Sequence, residues 1–331
     1  MGSSISYPIS PAQYAALEPK SDADGFVRFD HFMEAALYHP TEGYYCRDRE
    51  RVGRSAETDF FTASSLGPVF GELVVAACLN LLGDHDPAFF SFVEIGAERG
   101  RSIIDGVAHP FSGTQSIGAG DVPEIEGAAI VFSNELFDAQ PCRRFRGGNG
   151  GWVEIGLALT GSSITESSRP VDAAIDALPA SVPEGYCLDL PSGANALAEN
   201  IVGQPWHGLF LAFDYGKSWA ELSTEVPQGT ARAYHQHRQK TNLLESMGEQ
   251  DLTCHICWDH LSEILSQRGF TPAKVLSQEA FLVENAADKL AELMASEAEK
   301  FSSRKSGLMQ LLHPAALGQK FQVISAWRQE S

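Results

Sequence analysis

The sequence predicts an α/β fold built on a doubly wound, largely parallel sheet, and three short apolar runs predict it. These are Phe89-Phe90-Ser91-Phe92-Val93-Glu94-Ile95, Ala128-Ala129-Ile130-Val131-Phe132-Ser133 and Leu209-Phe210-Leu211-Ala212-Phe213. Each is continuously apolar rather than alternating, as expected of strands covered on both faces. Each also ends in glycine or polar residues: Gly96 and Gly100, Asn134-Glu135, and Asp214-Tyr215-Gly216. In open sheets of this kind ligands bind outside the carboxyl ends of the strands.

The other elements follow in chain order. Between residues 26 and 45, Phe29, Phe32, Met33, Ala36 and Leu37 recur at helical spacing, and His39-Pro40 stops the run before Gly43-Tyr44-Tyr45. Residues 47–65, rich in charged and small side chains, read as a loop. Residues 68–82 read as a helix with Pro68 in its first turn and Phe70, Leu73, Val74, Ala77 and Cys78 on one face. Residues 142–146 and 152–158, joined by Gly147-Gly148-Asn149-Gly150-Gly151, predict a hairpin with a five-residue loop. Ser192 can cap a helix running to Ile201. Residues 260–267 are helical up to the stop at Gly269, a long helix runs from Gln278 or Asp288 to Phe301, and residues 321–327 form a last strand. The predicted organisation is an N-terminal helical cap over residues 1–85, packed on an α/β domain over 86–331 that carries a β-hairpin insertion at about 142–205.

Composition excludes several classes. The chain of 331 residues is 44% apolar and 20% charged, ample for a large core. Its 24 Lys and Arg against 43 Asp and Glu give a net charge of −19, with no basic cluster to neutralise phosphates, which argues against nucleic acid. No apolar stretch approaches the ~20 residues of a membrane helix. No signal or transit pattern is visible at the N-terminus, so a cytoplasmic location is expected. The cysteines Cys46, Cys78, Cys142, Cys187, Cys254 and Cys257 are scattered among apolar residues, as buried thiols are. Cys254-His255-Ile256-Cys257 has the gap of a zinc or redox pair but lacks a second pair, and His235, His237 and His255 read as packing histidines, so no metal is expected.

Two stretches carry chemistry. Glu94-Ile95-Gly96-Ala97-Glu98-Arg99-Gly100 is a strand entering a glycine-bearing turn, where backbone can approach a nucleotide-like ligand. Asn134-Glu135-Leu136-Phe137-Asp138-Ala139 sets two carboxylates three residues apart after a buried strand. Such a pair can take a planar guanidinium, or can simply complement a helix N-terminus.

Together with other ordered motifs, these stretches resemble the MidA-like S-adenosylmethionine (SAM)-dependent methyltransferases, whose mitochondrial members are complex I assembly factors that methylate protein arginine. The resemblance runs nearly end to end. It rests on Phe32-Met33-Glu34-Ala35-Ala36-Leu37-Tyr38-His39-Pro40 with Gly43-Tyr44-Tyr45, on Asp59-Phe60-Phe61-Thr62-Ala63 with Phe70-Gly71-Glu72, and on the Asn134 and Asp214 motifs. Gly229-Thr230-Ala231-Arg232-Ala233-Tyr234, His237, and Gly248-Glu249-Gln250-Asp251-Leu252-Thr253-Cys254-His255 complete it. It implies a Rossmann-like methyltransferase sheet, SAM bound by Glu94, Gly96, Gly100, Asn134, Asp59, Phe61 and Thr62, and a protein arginine as acceptor. It assigns the acceptor-binding role to Glu135, with Asp138 and Asp214 behind it; a homodimer is compatible.

Two departures are visible. Glu98 stands where the family has a small residue. Only 38 positions separate Gly96 from Asn134, too few for two full crossovers. Thr114-Gln115-Ser116-Ile117-Gly118 is the one strand-like segment between them and is expected to be strand three, with strand two, and the acid that would hold the ribose hydroxyls, deleted; Asp121 is a poor substitute. The expected function is arginine methyl transfer, and the alternative is a methyltransferase-like binding or assembly protein that has lost SAM.

Overall fold

A computed structural model of the chain describes residues 5–46, 67–97, 101–118, 120–171, 175, 178–235, 238–240 and 242–330. They divide into two compact units, each discontinuous in sequence. One comprises Met1–Phe60, Phe137–Leu197 and Lys217–Cys257, the other Phe61–Leu136, Ala198–Gly216 and Trp258–Ser331.

The second unit holds the predicted sheet. Its strands lie in the order Lys274–Ser277, Gln322–Arg328, Trp206–Asp214, Gly127–Asn134, Ser91–Ala97, Gly113–Gly118. The last four are mutually parallel, with Leu209 opposite Ile130, Phe92 opposite Ile130 and Ile95 opposite Ile117. Gln322–Arg328 runs antiparallel to both of its neighbours. The three continuous apolar runs are therefore the three central parallel strands, covered on both faces as their composition requires.

On one face lies the helix Pro68–Leu82, whose Phe70, Leu73, Val74, Ala77 and Cys78 are buried as the periodicity predicts. Phe70 meets Phe213 edge-on at 5.4 Å, and Phe281 of the helix Gln278–Asn285 does the same from its side. Of the two starts expected for the helix toward Phe301, the one at Asp288 agrees with the helix Ala287–Glu297, and Gln278–Asn285 is a separate helix, parted from it at Ala286 with φ −132° and ψ 29°.

Strand Gly113–Gly118 corrects one expectation. It pairs directly with Ser91–Ala97, and in the doubly wound order 3-2-1-4-5-6 the place beside the first strand belongs to the second. The strand missing among the described residues is the outermost, the third. Residues 120–126 lead to the next strand without a regular element, and this length holds no further helix and strand.

The first unit is built around the predicted hairpin. Arg143–Gly148 and Gly151–Thr160 pair out to Gly148 opposite Gly151, so Asn149-Gly150 alone makes the turn and the five-residue loop is shortened to two. Ser163–Pro170, Ser6–Pro8, Cys187–Leu190 and Phe26–Arg28 extend this into a six-stranded sheet whose pairings are all antiparallel. Helix Phe29–Tyr38 contributes Phe32, Met33, Ala36 and Leu37 to a core shared with Val27, Leu157, Ile164, Leu252 and Cys254. Buried Glu154 receives Arg143 on one oxygen at 2.6 Å and Arg169 on the other at 3.0 Å. Asp189, also buried, accepts the Thr230 and Ala231 N–H groups at 2.6 and 2.8 Å beside Arg144. Both carboxylates are thus paired or hydrogen-bonded, as buried charge must be. Among the described residues no helix is long and apolar enough to cross a membrane, and no group of three or more His, Cys, Asp or Glu side chains could hold a metal.

Candidate active site

Three of the parallel strands end side by side, and they and the turns that follow carry five of the residues singled out in the sequence. Gly96 closes the first with φ +83°. A Cβ there would lie 2.9 Å from Leu136 Cδ1, so the turn suits glycine on both counts. The order of strands reverses between Ser91–Ala97 and Gly127–Asn134, which is where doubly wound sheets open a crevice.

At the end of the next strand Glu135 sits at φ +51°, in the left-handed region. Its N–H donates to Phe213 O at 2.9 Å, locking this turn to the neighbouring strand, and Asn134 Nδ2 donates to Glu135 Oε1 at 3.2 Å. Asn134 Oδ1 is buried without a hydrogen-bond partner among the described residues. A non-glycine residue held at positive φ next to an unsatisfied acceptor is the kind of local strain that clusters at binding sites.

Glu94 is 4% exposed and accepts Ser102 Oγ–H and the Ile103 N–H, both at 2.7 Å. It thereby ties the segment after the glycine turn back to the strand. Burial pushes its carboxyl up to about 7, the two donors pull it down, and Asp105 adds a further upward push. Asp214 is fully buried and accepts the Tyr215 N–H at 2.8 Å, stabilising the turn that follows its strand. Asp138 belongs to the other unit, is 4% exposed, and receives the Cys254 N–H on its backbone oxygen at 2.7 Å. Gly100, Asp59, Phe61 and Thr62 lie outside the described residues, as do Glu98 and His237. Glu94, Gly96, Asn134, Glu135 and Asp214 are thus brought to one sheet by the fold.

Comparison with known proteins bears on the fold and the family. Residues 117–276 match the family described as "Putative S-adenosyl-L-methionine-dependent methyltransferase". A Burkholderia thailandensis protein crystallised with S-adenosylhomocysteine superposes with a TM-score of 0.81 at 23% identity, over 97% of this chain and 95% of that one. The fold is that of a methyltransferase. The resemblance to the MidA-like proteins read from the motifs is borne out. The chain is 24% identical to the Drosophila melanogaster "Protein arginine methyltransferase NDUFAF7 homolog, mitochondrial", over 93% of this chain and 83% of the relative. It is 23% identical to the Danio rerio NDUFAF7 protein over 93% and 85%.

The sequence reading gave no role to Ser102, the Ile103 N–H or Gly71. A Cβ on Gly71 would meet Ile103 O at 2.2 Å, so the helix Pro68–Leu82 rests directly on the segment that Glu94 holds. The signal was present in Phe70-Gly71-Glu72, a glycine inside an otherwise strong helix, which implies close backbone approach.

Two buried groups give opposite pH dependences. A carboxyl whose folded pKa exceeds its ordinary 4.5 binds its proton more tightly when folded. Its contribution is complete below 4.5 and is lost as pH rises through about 7, at most about 3 kcal/mol for Glu94. His255 is the reverse: burial, then Lys217 and Arg232, lowers it from 6.5 to about 4, so its contribution is present above 6.5 and lost as pH falls toward 4. Denaturant titrations between pH 4 and 8 are expected to show Glu94→Gln removing a loss of stability on the alkaline side. His255→Gln should remove a loss on the acid side. Unchanged pH slopes in either variant would contradict the corresponding assignment.

Proposed function

We propose that this chain transfers a methyl group from S-adenosylmethionine to an arginine side-chain nitrogen of a protein partner. The observation that carries the reading is Glu135, fixed at φ +51° by its N–H to Phe213 O, beside Asn134 Oδ1, which has no hydrogen-bond partner among the described residues. The cofactor is S-adenosylmethionine, which supplies an activated methyl on a sulfonium. The residues present fit it: Asn134 Oδ1, without a donor among the described residues, could accept one such as the cofactor's ammonium, and Gly96 carries no side chain at its turn.

Asp121 gains a role from the corrected strand order. It follows the strand in the second position, where a doubly wound sheet places the carboxylate that holds ribose hydroxyls. Its Oδ2 accepts the Gly118 N–H at 3.1 Å, which steadies it at that strand end. Asp121→Ala is expected to weaken SAM binding by about tenfold, read by isothermal titration; unchanged affinity would remove Asp121 from the site.

On the acceptor side, Glu135 would hold the guanidinium on its carboxylate and orient one nitrogen, which would give up a proton to solvent as it takes the methyl, leaving a methylated guanidinium of unchanged charge. The net charge of −19 favours approach of a basic partner. The relatives named protein arginine methyltransferases support the acceptor class. Because those relatives are named mitochondrial, the cytoplasmic location, a link to complex I assembly and a homodimer remain readings for fractionation, co-purification and sedimentation to decide. The deciding experiment for activity is titration of the purified chain with SAM, followed by transfer of labelled methyl to arginine in a cell extract. No heat at millimolar SAM would favour the second reading, a binding or assembly protein, supported by the lack of a strand beyond Gly113–Gly118 among the described residues.

A further inference from the structure

Three motifs far apart in sequence meet in the first unit around the segment that carries Asp138. Tyr38, at the end of helix Phe29–Tyr38, donates its hydroxyl to Ala139 O at 3.1 Å and accepts Gln140 Nε2–H at 3.1 Å. Its ring stacks on Tyr45 at 5.5 Å and 20°. Tyr45 in turn donates to Asp251 Oδ1 at 2.8 Å, and Asp251 is only 5% exposed. From strand Asp251–Thr253 the chain continues to Cys254, whose N–H reaches Asp138 O at 2.7 Å. The circuit is closed: the strand holds the segment through backbone at one point, and through Asp251, Tyr45 and Tyr38 at the next.

We propose that Asp251 is a positioning residue, acting through Tyr45 and the stacked Tyr38 to fix residues 138–140, and with them Asp138, a candidate for binding the acceptor. This assignment rests on the methyltransferase reading only for its functional consequence; the frame itself stands on the contacts. Burial first, and then Asp251, raise the pKa of both phenols, so each keeps its proton and serves as a donor throughout the physiological range. A carboxylate acceptor strengthens the Tyr45 hydrogen bond relative to a neutral one. Stacking passes the constraint on because a ring fixed at its hydroxyl limits where its neighbour can lie.

The test compares Tyr45→Phe, Asp251→Ala and Asp251→Asn with the wild-type chain by amide hydrogen exchange. The reporting amides are Gln140, bonded to Phe137 O, and Cys254, bonded to Asp138 O. Phe and Ala variants are expected to exchange about tenfold faster at these two amides. Asn, which keeps an oxygen acceptor for the Tyr45 hydroxyl, should stay within about twofold of wild type, and this rescue separates positioning from simple loss of fold. S-adenosylhomocysteine affinity should be unchanged in all three. Unaltered exchange in both Tyr45→Phe and Asp251→Ala would overturn the proposal, as would Asp251→Asn behaving like Asp251→Ala.

With a glycine-flanked arginine peptide as acceptor, Tyr45→Phe should raise KM about tenfold while kcat holds within about twofold; the opposite split would also overturn it. If the exchange pattern appears but the wild-type chain binds no S-adenosylhomocysteine, the methyltransferase reading fails and the frame stands.

Discussion

Replacing Glu135 by glycine is expected to make the protein more stable and inactive at once. The residue occupies φ +51°, where a side chain costs about 1 kcal/mol that glycine does not incur. Its main-chain bond to Phe213 O survives the change, so the turn itself persists. Denaturation midpoints should therefore rise, while methyl transfer falls at least about a hundredfold through loss of the carboxylate proposed to receive the acceptor. Glu135→Gln separates the two effects: it leaves the backbone strain in place and removes only the charge, so stability should hold and transfer should fall as far. A glycine variant that is less stable, or a glutamine variant that still transfers methyl at the wild-type rate, would contradict this account of the turn.

Gly71→Ala should produce the largest loss of stability of any single methyl added near the site. The new Cβ would lie 2.2 Å from Ile103 O and 3.1 Å from Ile103 C, and both are backbone atoms that cannot rotate away. Helix Pro68–Leu82 and the segment after the glycine turn would have to separate, at about 3 kcal/mol. That segment is the one Glu94 grips through Ser102 and Ile103, so SAM affinity should drop with it. Gly113→Ala is the matched control, since its Cβ would meet nothing within 4 Å, and it should be close to neutral. Equal melting temperatures for the two variants would refute the close approach.

The central strands and the helix over 68–82 could be read because burial on both sides, or on one stripe, leaves a periodic record in the apolar residues. The strand Ser163–Pro170 could not. Its sequence Ser-Ile-Thr-Glu-Ser-Ser-Arg-Pro offers one buried residue, Ile164, and its pairing with Gly151–Thr160 on one side and Ser6–Pro8 on the other makes it a strand. The place of Gly113–Gly118 beside Ser91–Ala97 is not legible in the sequence for a related reason. Sequence gives the presence of a strand, but its neighbour in the sheet is decided by long-range pairing. At the site, Asn134, Glu135 and Gly96 were visible as polar or glycine residues after apolar runs. Their strain was not, because nothing local distinguishes a glutamate at positive φ from one in a helix. The Tyr45–Asp251 contact joins residues 206 positions apart, and no pattern within either segment encodes it.

The interleaving of the two units has a consequence for how the protein is made. The last segment of the first unit ends at Cys257, whereas the second still awaits Lys274–Ser277 and Gln322–Arg328, the latter being the strand that covers the exposed side of Trp206–Asp214. On a ribosome the hairpin unit has all its residues first. Until synthesis is nearly finished, the apolar strand Leu209–Phe213 has an open edge of the kind that recruits other chains. Aggregation during expression is thus the characteristic hazard of this topology, and truncations short of Arg328 should be recovered as insoluble material.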